Sequence, residues 1–273
     1  MAAGVGLVGL PLTVAAGLTG VDMVKRGGRV RRPAPNPGVF DAHVEGSELR
    51  IFTSGEDLYE EMIAAIDGAQ RIIKFETFIW KGDPTGQRFM DAFNRAAARG
   101  VEVYVSYDGF GNLVVPPRFY RQLDPRIHVF RLPAFARPIW RGVVRHSGFN
   151  HSKIMVVDDE VGFAGGFNIG DDYARLWRDT HVRERGPAVW ALGQSISIKW
   201  NAHHRAGEQM SWRPPDTWDP RVTVAANQPP LREVRQRPHR QHFAAAGGDM
   251  AQQLGGVFGG LGGRRGVHQY LVE

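Results

Sequence analysis

The chain contains no cysteine, so neither a disulfide nor a Cys-ligated metal is available to it, and a reducing compartment suits it. Lysine is scarce: Lys25, Lys74, Lys81, Lys153 and Lys199 are all of them, and arginine supplies most of the cations behind a net charge of +6. A basic balance selects anionic partners, phospholipid surfaces or nucleic acid, without choosing between them. Charge is absent from residues 2–21, a stretch as long as the roughly 20 residues that cross a bilayer. A basic start is missing too, which argues against a secretory signal. The first charges beyond are Asp22, then Lys25, Arg26, Arg29, Arg31 and Arg32. The positive-inside rule keeps that cluster cytoplasmic. The expectation is an N-terminal anchor over residues 1–22 in the cell membrane, with the remainder of the chain on the cytoplasmic side. The alternative is a Gly/Ala-rich leader that never inserts, since its glycines and Pro11 weaken a helix.

Residues 23–43 read as a basic and Pro-rich linker, with Pro33, Pro35 and Pro37 at its centre. From 44 to 212, strand and helix signals alternate, which argues for an α/β domain. Strands are expected at 49–53, 72–80, 101–107, 127–132 and 179–183. Ser54, Glu56 and Asp57 open a helix with the apolar stripe Leu58, Met62, Ala65 and Ile66. Asp83-Pro84 opens another, with Phe89, Met90, Phe93 and Ala97 on its buried side and Gly100 as its stop. A last helix follows Pro187, with Val189, Trp190, Leu192, Ile196 and Trp200 buried.

The densest chemistry lies in Asn150-His151-Ser152-Lys153-Ile154-Met155-Val156-Val157-Asp158, followed by Gly165-Gly166-Phe167-Asn168. If 149–157 is a strand, His151 and Lys153 leave the same face, because side chains alternate with period two. Asp158-Asp159-Glu160 then reads as a turn, with 161–164 returning as a hairpin partner. Displacement at a phosphodiester needs a nucleophile that is uncharged near neutral pH, and imidazole is one. It also needs cations or N–H donors against the non-bridging oxygens. His151 fits the first role, Lys153 and the Asn168 amide fit the second, and Asp158 is a candidate to orient and polarise the site. Gly165 and Gly166 would let the backbone approach a phosphate. A satisfied strand histidine beside a surface lysine is the bland alternative; the spacing of the whole set favours function.

At these residues the chain resembles the phospholipase D superfamily, whose signature is His-x-Lys-x-x-x-x-Asp followed by a Gly-Gly/Ser-x-Asn element. Phe75-Glu76-Thr77-Phe78-Ile79-Trp80, Gly165-Gly166-Phe167-Asn168-Ile169-Gly170 and Trp177-Arg178-Asp179-Thr180-His181 are similar to the bacterial cardiolipin synthase branch. The resemblance runs from about Val44 to about Trp200 and covers one family repeat. It implies a mixed β-sheet flanked by helices, a phosphohistidine intermediate on His151, and phosphatidyl transfer from an anionic phospholipid such as phosphatidylglycerol, with no cofactor and no metal. It also implies that Asp179 supports the catalytic histidine; spacing alone would make Asp179 a surface strand acid.

Glu76 stands in an otherwise apolar strand, either paired near the site or facing water at a strand end. Asp108 and Asn112 read as turn formers or as residues near the site mouth. The segment 133–146 interleaves Phe135, Ile139 and Trp140 with Arg137, Arg141 and Arg145, which suits a membrane-interface loop as well as a packed loop with a basic edge. His203-His204 are adjacent and cannot share a metal well from one helix. Residues 213–273 lose all periodicity and read as an irregular, disordered tail. The family branch carries two repeats, each giving one His-Lys-Asp set to a shared site, whereas this chain has no second His-x-Lys-x-x-x-x-Asp. The expectation is therefore that turnover needs a homodimer or a complementary half. A dimeric phosphodiesterase or nuclease, and an inactive membrane-binding remnant of a disrupted gene, are the alternatives.

Overall fold

The computed structural model describes residues 32–44, 46–133 and 150–210, together with the short strands at 224–226 and 270–272. The expected anchor at 1–22 and all but Pro133 of the Arg/aromatic segment 133–146 lie outside the described residues, as does most of 213–273. Among the described residues no helix is long and apolar enough to cross a membrane. The fold below belongs to the unit Ala34–Glu273.

Its elements run β1 (Val39–Val44), β2 (Ser47–Phe52), α1 (Gly55–Gly68), β3 (Ile72–Thr77), α2 (Pro84–Ala98), β4 (Glu102–Asp108), α3 (Pro117–Tyr120) and β5 (His128–Leu132). Then come β6 (Ile154–Val157), β7 (Val161–Gly165), α4 (Asp171–Arg175), β8 (His181–Arg185), α5 (Ala188–Asn201), β9 (Val224–Ala226) and β10 (Tyr270–Val272). Eight strands form one mixed sheet in the order β1-β2-β8-β7-β6-β3-β4-β5. β3, β4 and β5 are parallel, joined through the two crossovers that carry α2 and α3; all other pairs in this sheet are antiparallel.

Strand alternation sorts the apolar residues onto two faces. Ile73, Phe75, Met155 and Val157 join Leu58, Met62, Phe89 and Phe93 of α1 and α2 in the larger core. Ile72, Ile154 and Val156 join Val189, Leu192, Ile196 and Trp200 of α5 in the smaller one. The helix starts follow the sequence chemistry: Asp83 accepts from the Gly86 N–H at 2.9 Å ahead of Pro84, as an N-cap should. Ser54 holds the equivalent place before α1 but makes no side-chain cap bond. Gly100, at φ +90°, ends the α2 region in the left-handed conformation expected of a stop.

Several boundaries differ from the sequence expectation. β1 starts at Val39, inside the stretch read as linker, and pairs along its whole length with β2. Trp190 is only half-buried, at the edge of the α5 stripe. β8 starts at His181 rather than 179. Within the stretch read as disordered tail, β9 and β10 pair in parallel. The β6–β7 hairpin is present as expected. Asp158 and Asp159 carry positive φ (+55° and +58°) and Glu160 N–H closes the turn on Val157 O at 3.0 Å, three residues separating Val157 from its partner Val161.

Candidate active site

The motif strand is shorter than the motif. β6 begins at Ile154, and residues 150–153 run up to it outside the named strand, with Lys153 O still accepting from the Gly165 N–H at 3.3 Å. Side chains also hold this approach. The Asn150 N–H donates to Asp108 Oδ2 at 3.0 Å, at the end of β4, and Asn150 Oδ1 accepts from the Ser152 N–H at 3.3 Å. Asp108 is itself buried, its other oxygen accepting from the N–H groups of Phe110 and Gly111.

His151 is exposed, and its ring meets the Phe78 ring edge-on with centroids 4.8 Å apart. Lys153 is only 4% exposed; its Nζ lies 5.5 Å from the Phe78 centroid and donates to His151 O at 2.6 Å. Both motif side chains thus converge on one phenyl ring. Burial pushes the Lys153 ammonium down to about 8, with the negative charge of Asp179 holding it partly back up. Removing an ammonium from water disfavours its charged form, so this lysine is a cation at neutral pH with little to spare.

The two glycines have a specific steric reason. In register, Lys153 stands beside Gly165 and Gly165 beside His181. A Cβ on Gly165 would lie 2.4 Å from Thr180 O and 2.5 Å from His181 Cα, and one on Gly166 would lie 2.0 Å from Asp179 Oδ1. Gly165 and Gly166 therefore admit the Asp179–His181 segment, where the sequence reading had them admitting phosphate. His181 is 2% exposed, and neither ring nitrogen has a partner among the described residues. Burial and the nearby Lys153 charge hold it down to about 3, so it is a neutral imidazole. Asn168 is buried, and its Oδ1 accepts from the Ile79 N–H at 3.0 Å. A backbone N–H can only donate, so this bond orients the amide and leaves Nδ2 as the opposite, donating end. Its own carbonyl accepts from the Tyr59 hydroxyl.

Asp158 is elsewhere. It follows β6, and at about 3.3 Å per residue it lies about 16 Å along the strand from Lys153. Its Oδ1 accepts from the N–H groups of Arg71 (2.8 Å) and Ile72 (2.9 Å), and its Oδ2 from that of Gln70 (2.9 Å). Asp158 is the cap that satisfies the entry to β3, and the expectation that it polarises the site is corrected. Glu76 is 1% exposed and sits on the α5 face of the sheet, paired with Lys199 Nζ. Lys199 also donates to Ser152 Oγ at 2.7 Å and approaches Asn150 Oδ1 at 3.4 Å. Sequence reasoning missed Lys199, His181 and Phe78. Lys199 had one visible signal, being among so few lysines; its partner could not be read without the packing of α5.

The family described as "Cardiolipin synthase, PLD-like domain" matches residues 62–191, the span that holds all of these groups except Lys199 and Tyr59. Over those residues the chain is similar to a phospholipase D-like domain. The major cardiolipin synthase of Bacillus subtilis (strain 168) is 34% identical to the chain over 180 residues, which is 62% of this chain and 36% of that protein. Cardiolipin synthase 1 of Staphylococcus epidermidis (strain ATCC 12228) is 34% identical over 170 residues, 59% of this chain and 34% of that one. The chain thus spans about a third of the length of the curated relatives it matches. Among solved structures, the phospholipase D family member Nuc from Salmonella typhimurium superposes with a TM-score of 0.44 at 17% identity, covering 57% of this chain and 95% of that one.

Proposed function

We propose that this phospholipase D-like domain transfers phosphatidyl groups between hydroxyls, with His151 as nucleophile. The observation that carries the reading is an exposed imidazole placed on the same phenyl ring as a buried ammonium that is bonded to the histidine's own carbonyl. A ring nitrogen of His151 attacks phosphorus, and the P–O bond to the leaving glycerol breaks, giving a phosphohistidine. Lys153 and the Asn168 Nδ2 group neutralise charge on the non-bridging oxygens, as fixed donors do where charge develops. Asp179 keeps Lys153 charged in a buried setting and supports the His151 side of the site. A second hydroxyl then attacks the phosphohistidine, giving the new phosphodiester and restoring His151.

The leaving alkoxide needs a proton, and this chain's motif contributes one histidine. A second imidazole comes, in this reading, from another copy related by a twofold axis, because a symmetric dimer presents the same patch twice. The substrate class is an anionic phospholipid, drawn to a chain of net charge +6 and matching the printed names of the curated relatives. The test is lipid product analysis on phosphatidylglycerol vesicles with wild type and His151→Ala. Cardiolipin and free glycerol from wild type alone support the reading. DNA cleavage that needs His151 and ignores lipid would install the nuclease alternative, which the basic balance also suits. Vesicle binding without product from either protein would refute both.

A further inference from the structure

The nucleophile's main chain is held by side chains on both sides of the sheet. Strand alternation puts Ser152 and Glu76 on the α5 side, since both stand two residues or one register step from Ile154 of the α5 core. Lys153 stands on the other. Lys199 occupies the last turn of α5, where the carbonyl end of a helix favours a cation. From there its Nζ reaches the residues on either side of His151: Ser152 Oγ at 2.7 Å and Asn150 Oδ1 at 3.4 Å. Glu76, buried near the C-terminal end of β3, neutralises it. Two ammonium groups thus grip one short segment. Lys153 takes the carbonyl of His151, and Lys199 takes its two neighbours.

We propose that Lys199, anchored by Glu76, is a positioning residue that sets where the His151 imidazole stands, and that the ion pair has this as its purpose beyond stability. A buried ion pair is a poor source of net stability, because desolvating two charges offsets most of their attraction. Burying Glu76 and most of the Lys199 side chain gains something only if the geometry they impose on residues 150–152 is needed. The catalytic consequence rests on the phosphatidyl-transfer reading; the effect on the imidazole does not.

The test separates pairing from positioning. Lys199→Met keeps the aliphatic stem but leaves Glu76 as an uncompensated buried carboxylate, so its melting temperature falls. The double variant Glu76→Gln/Lys199→Met removes both charges and recovers the melting temperature to near wild type, yet still lacks the tether to Ser152 and Asn150. Its kcat is expected to stay about ten- to a hundredfold low, the scale of an ångström-sized misplacement, with KM little changed. The His151 imidazole is followed directly by NMR on ring-labelled protein, assigned by difference from His151→Gln, and by its rate of carbethoxylation. Both are expected to differ from wild type in the double variant. A double variant whose His151 resonance and modification rate match wild type overturns the proposal. If wild type turns over no phosphodiester, the transfer reading fails, and the His151 resonance still decides whether Lys199 positions it.

Discussion

Replacing Asp158 separates a structural role from a catalytic one at a position where the motif invites confusion. Its carboxylate accepts three backbone N–H groups, from Gln70, Arg71 and Ile72, while Asp158 itself sits at φ +55°. Hydrogen bonds to charged groups contribute about 1.5–3 kcal/mol each when buried. Gln70 and Arg71 are exposed and Asp158 is half-buried, so water replaces part of the loss and about 1 kcal/mol per bond is the fitting figure. Asp158→Ala loses all three bonds and adds the left-handed penalty of a Cβ residue with no local hydrogen bond, about 1 kcal/mol. The expected total is about 4 kcal/mol, or about 8–16 °C in melting temperature for a domain of this size. Asp158→Asn tolerates the positive φ and keeps its Oδ1 for Arg71 and Ile72, losing the Gln70 bond alone; about 1 kcal/mol is expected. The assay is thermal unfolding by circular dichroism beside transferase turnover well below the midpoint. Both variants should keep kcat within about threefold, because the carboxylate lies about 16 Å along the strand from Lys153. An Asp158→Asn protein with unchanged unfolding and abolished turnover would refute this reasoning.

Lys153, held down to about 8 by burial, is charged below that pH and neutral above it, so turnover should fall as pH rises through about 8, well short of the ordinary lysine range; an alkaline limb near 10 would contradict the burial argument. The same group binds one proton fewer folded than unfolded between about 8 and its usual 10.5, so its contribution to stability rises with pH across that window, and Lys153→Met should be more stable than wild type at pH 7 by urea unfolding. Gly166→Ala places a Cβ 2.0 Å from Asp179 Oδ1; the carboxylate must move, and a loss of about 1–3 kcal/mol with at least a tenfold fall in kcat is expected, whereas full activity would show that Asp179 acts from elsewhere. Equal amounts of wild type and His151→Ala, exchanged and mixed, should retain about a quarter of wild-type activity if each turnover needs a histidine from both members of a twofold pair; one half would mean that each chain works alone.

Local pattern carried much of this protein into view. The apolar alternation of β6 and β7 and the capped start of α2 were legible because each depends on neighbours a few residues away. β1 was not, since its exposed Val39 and Phe40 leave no buried stripe to read beside the prolines. His151, Lys153 and Asn168 stood out as candidates by residue type and spacing. Asp158 misled for the same reason: spacing placed it in the motif, whereas a strand carries its two ends apart. Glu76 could be read as an anomaly but not as a partner, because the group that answers it comes from α5, 123 residues later.

Sequence alone thus determined which reactive groups this chain owns, an imidazole, a scarce lysine, an amide and several carboxylates, because chemistry belongs to side chains. Tertiary structure decided which of them share a volume. It set Asp179 over Gly166 beside Lys153, sent Asp158 to the far end of β6 and brought Lys199 to the two residues flanking His151. The reason is that the sheet pairs strands distant in the chain, β2 with β8 and β3 with β6, so a carboxylate's role follows from the face and end of the strand on which packing leaves it.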